Sequence, residues 1–188
     1  MARGAASARL FAALDPPEEA AEELLRWARG ALRAGGERDA RLLRPEALHV
    51  TLLFLGERPF EQLEGLGAVL AETAERHPAL ELETGAPVWL PPRRPRALAV
   101  EVRDPDGALG ALQRDLAGGL CALAEMAVPR RFRAHLTVAR SRGVPHGHGE
   151  LPPTPSLRFA CEEVVLYRSH LEPRAARYER VAAAALSG

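Results

Sequence analysis

Residues 48–56 read Leu48-His49-Val50-Thr51-Leu52-Leu53-Phe54-Leu55-Gly56, and residues 132–140 read Phe132-Arg133-Ala134-His135-Leu136-Thr137-Val138-Ala139-Arg140. Each is an apolar run of strand length that carries the same tetrad: histidine, an apolar residue, threonine, an apolar residue. Side chains at i and i+2 of a strand stand on the same face. Each tetrad therefore presents an imidazole and a hydroxyl to one side and two apolar side chains to the other. The chain has five threonines, and two of them stand two places after a histidine. A lone histidine in a strand reads as a core residue satisfied by a neighbour. Two copies in corresponding places read differently, because burying two imidazoles and two hydroxyls without use costs desolvation free energy at each. His49 and His135 are expected to share one site, with Thr51 and Thr137 beside them.

The neighbouring sequence places these strands in a fold. Ala8 to Leu14 reads as a first strand. Asp15 is expected to cap a helix, with Pro16 at its first position and Glu18 three residues after the cap. Ala21, Leu24, Leu25, Ala28 and Leu32 continue that helix at 3.6-residue spacing until Gly35-Gly36. After Pro59, the residues Phe60, Leu63, Leu66, Leu70 and Thr73 mark a second helix, weakened by Gly65 and Gly67. Strands are expected over 79–83, 87–90 and 96–103, the last two separated by an exposed turn, Pro91-Pro92-Arg93-Arg94-Pro95. Leu109, Leu112, Leu116, Leu120 and Leu123 mark a third helix. A Gly- and Pro-rich loop over 142–155 precedes strands expected over 157–169 and 178–184. The two halves look related, each with a histidine-bearing strand after a helix. The expectation is an α+β, bilobal, pseudo-twofold architecture: two mainly antiparallel sheets around a central cleft, helices packed outside, and residues 1–188 as a single two-lobed domain.

Composition narrows the function classes. Apolar residues make up 47% of the 188, enough for a folded interior. The formal net charge is zero, with 25 basic and 25 acidic residues, so a general nucleic-acid coat is not expected and phosphate recognition has to be local. Every basic residue is arginine, whose planar fork of donors suits phosphate oxygens. Cys121 and Cys161 are too few for a disulfide framework, and neither sits in a metal-ligand spacing. The apolar run Leu10 to Leu14 is too short for a signal-peptide core, and no segment approaches the roughly 20 apolar residues of a membrane span. A soluble cytoplasmic monomer with no obligate protein partner is expected.

Two imidazoles facing one another suit general acid–base catalysis, one neutral and one protonated near neutral pH. The neutral ring takes a proton from an attacking water and the charged ring gives one to a leaving oxygen. Threonine hydroxyls beside them can donate to non-bridging oxygens as charge builds. A phosphodiester fits best, since its attacking and leaving oxygens lie in line and two further oxygens await donors.

At this point the sequence resembles the two-histidine phosphoesterases, and within them the RNA 2′,3′-cyclic phosphodiesterases also called 2′-5′ RNA ligases (LigT-like). Beside the two tetrads, Arg9-Leu10-Phe11-Ala12-Ala13-Leu14-Asp15 is similar to that family's first strand. Leu166-Tyr167-Arg168-Ser169-His170-Leu171-Glu172-Pro173, with the later Tyr178, is similar to its C-terminal pair of strands. The resemblance implies metal-free hydrolysis of RNA 2′,3′-cyclic phosphate ends to 2′-phosphate, with reversible 2′-5′ ligation as a related reaction and no cofactor. It implies His49 and His135 as the acid and base, taken here in that order, with Thr51 and Thr137 as phosphate contacts. Arg140 matches a family arginine that contacts phosphate, although strict alternation from His135 would put it on the opposite face unless the strand is bulged. Many members carry Pro before the second histidine, where this chain has Ala134.

Further residues have two readings. Arg130 and Phe132 occupy positions resembling the family pattern and are candidates to guide RNA and stack a base. Their ordinary alternatives are a solvated charge and a core aromatic. Arg131, Arg133 and Arg142 join the same basic run. His146 and His148 sit in a Gly-rich loop without a carboxylate or cysteine partner, a poor metal site. His77 reads as a helix end and His170 as surface. The expected ligands are RNA ends or small cyclic-phosphate nucleotides, with no membrane. Competing functions are a non-catalytic nucleotide- or RNA-end-binding module, and a phosphodiesterase for a cyclic phosphate of ADP-ribose or for 2′-5′ oligoadenylate. A metal-dependent hydrolase lacks a visible three-ligand cluster.

Overall fold

The computed structural model describes residues 6–143, 151–171 and 176–187. Its strands are β1 (Ser7–Leu14), β2 (Ala40–Leu42), β3 (Val50–Pro59), β4 (Leu80–Leu90), β5 (Ala97–Arg103), β6 (His135–Ser141), β7 (Arg158–Cys161), β8 (Glu163–Leu171) and β9 (Ala176–Ala185). Its helices are α1 (Glu18–Ala34), α2 (Leu63–Ala74) and α3 (Ala108–Leu123). The architecture is α+β, as expected.

The strands pair antiparallel in the order β7-β4-β5-β6-β3-β1-β8-β9, with β2 also beside β6. Outward from the centre this order is two matching runs, β3-β1-β8-β9 and β6-β5-β4-β7, which are the two lobes. At the centre of the sheet, β3 and β6 join the lobes through Val50 opposite Leu136. The sheet curls into a half-barrel because its far ends must approach. One residue, Glu162, separates β7 at one edge from β8 near the other, and a strand advances only about 3.3 Å per residue. Pro78 and Ser187 bridge the same closure beyond β4 and β9.

The helices cover the outside. On α1, Ala21, Leu24, Leu25, Ala28, Ala31 and Leu32 form the buried stripe that the sequence spacing marks. It lies over β2 and β6, whereas α3 lies over β3 and α2 over β8 and β9. Each lobe is therefore covered in part by a helix that follows a strand of the other. One hydrophobic cluster runs through both lobes, including Leu10, Leu14, Val50, Leu55, Leu98, Leu136 and Val138.

Several local expectations change. The sequence read 79–83 and 87–90 as two strands; they form the single strand β4, with one extra residue where Thr84 pairs with Val102 but Pro87 with Val100. A bulge is where proline, lacking an N–H, can be held in a strand. Gly85 fits closely there: a Cβ would lie 3.0 Å from the Cβ of Glu101. The strand read over 157–169 is divided at Glu162, and its pieces pair with different lobes. β2 was not expected, since three residues carry no periodicity. Asp15 does not cap α1; Pro17 takes that position without a side-chain cap, and Glu18 and Glu19 supply the acidic first turn. The Asp15 carboxylate instead accepts a hydrogen bond from the Tyr167 hydroxyl at 2.5 Å.

Leu136 is fully buried at the junction of the lobes. Leu136→Ala is expected to lower unfolding free energy by about 2–5 kcal/mol, measured by urea denaturation. An equal truncation at an exposed position should cost little.

Candidate functional site

The Val50–Leu136 pair decides where the tetrads meet. Both side chains are fully buried in the core, so the residues flanking each stand on the opposite face, toward the groove. In an antiparallel pair centred on these two, His49 falls opposite Thr137 and Thr51 opposite His135. All four line one cavity of about 440 Å³, as the repeated tetrad implies.

The same cavity is lined by Arg140, against strict alternation. The reason is a bulge on β6: Thr137 pairs with Ala99 and Ala139 with the adjacent Leu98, leaving Val138 as the extra residue. That one insertion inverts the alternation, so Val138 and Ala139 are both buried and Arg140 returns to the groove face. The first tetrad is bulged at the equivalent place. Thr51 pairs with Ala13 and Leu53 with Ala12, which leaves Leu52 as the extra residue. Phe54, five residues after His49 as Arg140 is after His135, therefore also faces the cavity and is 64% exposed. Sequence reading missed Phe54. The two aligned motifs contained the signal, but alternation alone hides a position beyond a bulge.

Other residues of the site come from strands distant in sequence. β1 sets Phe11 opposite Phe54 on one side and Tyr167 of β8 on the other. The Phe11 and Tyr167 rings stack with centroids 5.2 Å apart, and Phe11 lies 4.8 Å from the His49 ring. Tyr178 meets His49 edge-on at 5.1 Å. Arg9, Leu43, Ser169 and Tyr178 complete the walls named here. Nothing in their spacing tied them to the tetrads.

Some sequence candidates are not brought to the cavity lining. Phe132 is half-buried and packs on the main core, the ordinary reading of an aromatic at that position. Arg130 is exposed in the segment before β6 and Arg131 is exposed beside it. Arg133 pairs with Glu101 at 2.5 Å. His170 meets Glu179 at 2.6 Å, away from the cavity, and His77 is buried 3.0 Å from Asp115 between α2 and α3. His146, His148, Glu172 and Pro173 lie outside the described residues. Among the described residues no cluster of three histidine, cysteine or acidic side chains could hold a metal ion.

The surroundings of the two rings differ. Burial lowers the pKa of His49 to about 4; the nearby Arg140 charge acts in the same direction, and a hydrogen bond to the Ala47 backbone opposes it. At neutral pH this ring is uncharged. His135 places Nδ1 2.8 Å from the Arg133 carbonyl, so Nδ1–H donates there and Nε2 remains for chemistry. The Tyr167 hydroxyl behind the aromatic layer is pushed up by burial and by its contact with Asp15, and the Asp15 carboxyl is itself raised by burial. Their hydrogen bond is therefore a phenol donating to a carboxylate, and it anchors the layer on which His49 rests.

Residues 16–173 match the family model of the 2′-5′ RNA ligase superfamily. A search of the curated proteins finds no match. Among solved structures, the chain is similar to E. coli LigT complexed with 3′-AMP, at 26% identity and a TM-score of 0.81, covering 97% of this chain and 100% of that one. E. coli LigT complexed with phosphate gives 27% identity and a TM-score of 0.75, over 97% and 99%. TT0787 of Thermus thermophilus gives 26% identity and a TM-score of 0.80, over 96% and 98%.

The His49 ring is expected to titrate near pH 4 by imidazole NMR, and Arg140→Gln should move that midpoint up by removing a positive neighbour. The unfolded chain binds this proton near 6.5, so between about pH 6.5 and 4 protonation favours unfolding. Stability should fall across that window as pH falls, and His49→Gln should flatten the slope in a urea-denaturation series.

Proposed function

The chain belongs to the 2′-5′ RNA ligase superfamily, and from that premise we propose that it is a metal-independent phosphodiesterase opening RNA 2′,3′-cyclic phosphate ends to 2′-phosphate. Reversible 2′-5′ ligation is the related transfer at the same site. The observation that carries the reading is the pair of imidazoles and pair of hydroxyls around one cavity, with Arg140 on its wall. The proposed working unit is residues 1–188 as one two-lobed domain, a reading supported by the hydrophobic cluster that runs through both lobes.

His49, uncharged at neutral pH, takes a proton from water as the water oxygen attacks phosphorus. The P–O3′ bond breaks, and protonated His135 gives the Nε2 proton to the departing 3′ oxygen. The product keeps its phosphate on the 2′ oxygen, and the rings exchange their protons with solvent before the next turnover. Thr51 and Thr137 donate to the non-bridging oxygens, and the Arg140 guanidinium balances the charge that grows there. This reverses the order read from the sequence, His49 as acid and His135 as base. A ring kept neutral by burial and by an adjacent guanidinium is already in the unprotonated form that a base needs at neutral pH. Phe11 and Tyr178 orient His49 in this scheme. Arg130 and Phe132, sequence candidates for substrate binding, are left out because they are not among the cavity-lining residues. E. coli LigT complexed with 3′-AMP and with phosphate supports a nucleotide phosphate as the class of ligand.

A short RNA ending in a 2′,3′-cyclic phosphate, assayed in excess EDTA, should be converted to the 2′-phosphate. His49→Ala and His135→Ala should each lower kcat by about 10²–10⁴, and Thr51→Val or Thr137→Val by about 10²–10³. Loss of turnover in EDTA overturns the metal-free mechanism. An inactive parent that still binds the RNA end makes the chain a binding module.

A further inference from the structure

Resting on that reading, we propose that Arg41 forms a second phosphate site beside Arg140, taking the phosphodiester on the 5′ side of the nucleotide whose cyclic phosphate is opened. The consequence is a preference for oligonucleotide ends over mononucleotides.

The register of β2 carries the argument. Arg41 pairs directly with Arg140 on β6, and paired residues of adjacent strands project to the same face. Arg140 faces the cavity. Ala40 and Leu42, on either side of Arg41, pack against the hydrophobic core, which turns Arg41 to the groove side, where it is exposed. Strands lie about 4.8 Å apart, so two guanidinium groups on long side chains start from neighbouring backbones. Like charges directly opposite one another are destabilising.

Elsewhere three arginines meet carboxylates of neighbouring segments. Arg133 meets Glu101, Arg158 meets Glu83 and Arg180 meets Glu163, at 2.5, 2.7 and 2.6 Å. Among the described residues neither Arg41 nor Arg140 has an acidic partner within ion-pair distance. Two adjacent cations facing one groove are suited to an anion outside the chain.

The pseudo-twofold shows that this pair is particular to one side. Eight residues before His49 stands Arg41; eight before His135 stands Ala127. Five after His49 stands Phe54; five after His135 stands Arg140. The histidines and threonines are duplicated, but the cations are not. The aromatic side of the groove has Arg9 on its wall, whereas the other side carries two guanidiniums on directly paired residues, Arg41 and Arg140. With the scissile phosphate between the histidines, the next phosphate of the chain has its counter-charge on the Arg140 side, one strand further out, at Arg41.

The test measures binding of adenosine 2′-phosphate and adenosine 2′,5′-bisphosphate by calorimetry, for the parent, Arg41→Gln and a control on the exposed face of α1, Arg29→Gln. Turnover of cytidine 2′,3′-cyclic phosphate by the parent is followed in parallel. The parent should bind the bisphosphate about tenfold more tightly, the scale of one exposed charge-assisted contact. Arg41→Gln should close that gap and reduce the salt slope of bisphosphate binding by about 0.7, whereas Arg29→Gln should change neither. If the parent shows no gap, or Arg41→Gln keeps it, the second phosphate site is wrong. Should the parent still turn over the cyclic nucleotide in that case, the proposed chemistry stands without it. A gap that closes in Arg41→Gln while the parent turns nothing over upholds the phosphate site and overturns the chemistry.

Discussion

The antiparallel contact of Val50 with Leu136 is the constraint on which the rest depends. An antiparallel pair has a local twofold axis through its centre, so one contact positions two copies of whatever flanks it. Here the flanking residues are His49, Thr51, His135 and Thr137, and a slip of one residue would turn all of that strand's side chains to the wrong face. What resists the slip is burial. Val50 and Leu136 are both fully excluded from solvent, and each such side chain contributes about 1.5–3 kcal/mol on leaving water. The hydrophobic core and the candidate site therefore share one register.

The twofold is broken at the groove. β1 brings Phe11 beside Phe54, whereas the equivalent strand, β5, brings Ala97 beside Arg140. One side of the groove is thus aromatic at this level, and the other has a small residue beside a guanidinium. His49 leans on Phe11 and Tyr178, and the resulting desolvation keeps it neutral. Among the described residues His135 has no such ring contacts and is held through Nδ1 by a backbone carbonyl. Two rings that enter with the same flanking tetrad are held in different surroundings, His49 against aromatic rings and His135 on a backbone carbonyl.

Support for His49 reaches well beyond the cavity. Asp15 ends β1 and would be free to cap α1, yet it turns back to accept the Tyr167 hydroxyl. Tyr167 stacks on Phe11, and Phe11 on His49. The layer is therefore pinned at its far end by a partly buried hydrogen bond, while the helix start relies on Glu18 and Glu19 acting on its dipole.

Much of this was legible in residue order. The two tetrads, the three amphipathic helices, most strands and the α+β class follow from periodicities of 2 and 3.6 residues, because those periods are set by backbone geometry within a segment. His49, Thr51, His135 and Thr137 were readable for the same reason, each pair lying on one face of one strand. What alternation could not carry lies beyond a bulge or across a sheet. Arg140 faces the groove because Val138 is an extra residue, Phe54 because Leu52 is, and a bulge is defined by pairing with a neighbour that a single strand does not specify. Phe11 reaches the site through pairing with strands far away in sequence and Tyr178 through β8, which pairs with β1, and the division of residues 157–169 at Glu162 goes with the curl of the sheet. The sequence by itself determined which residue types stand together along each strand. The tertiary structure decided which strands stand together, because cross-strand register is set by the burial of both partners at once.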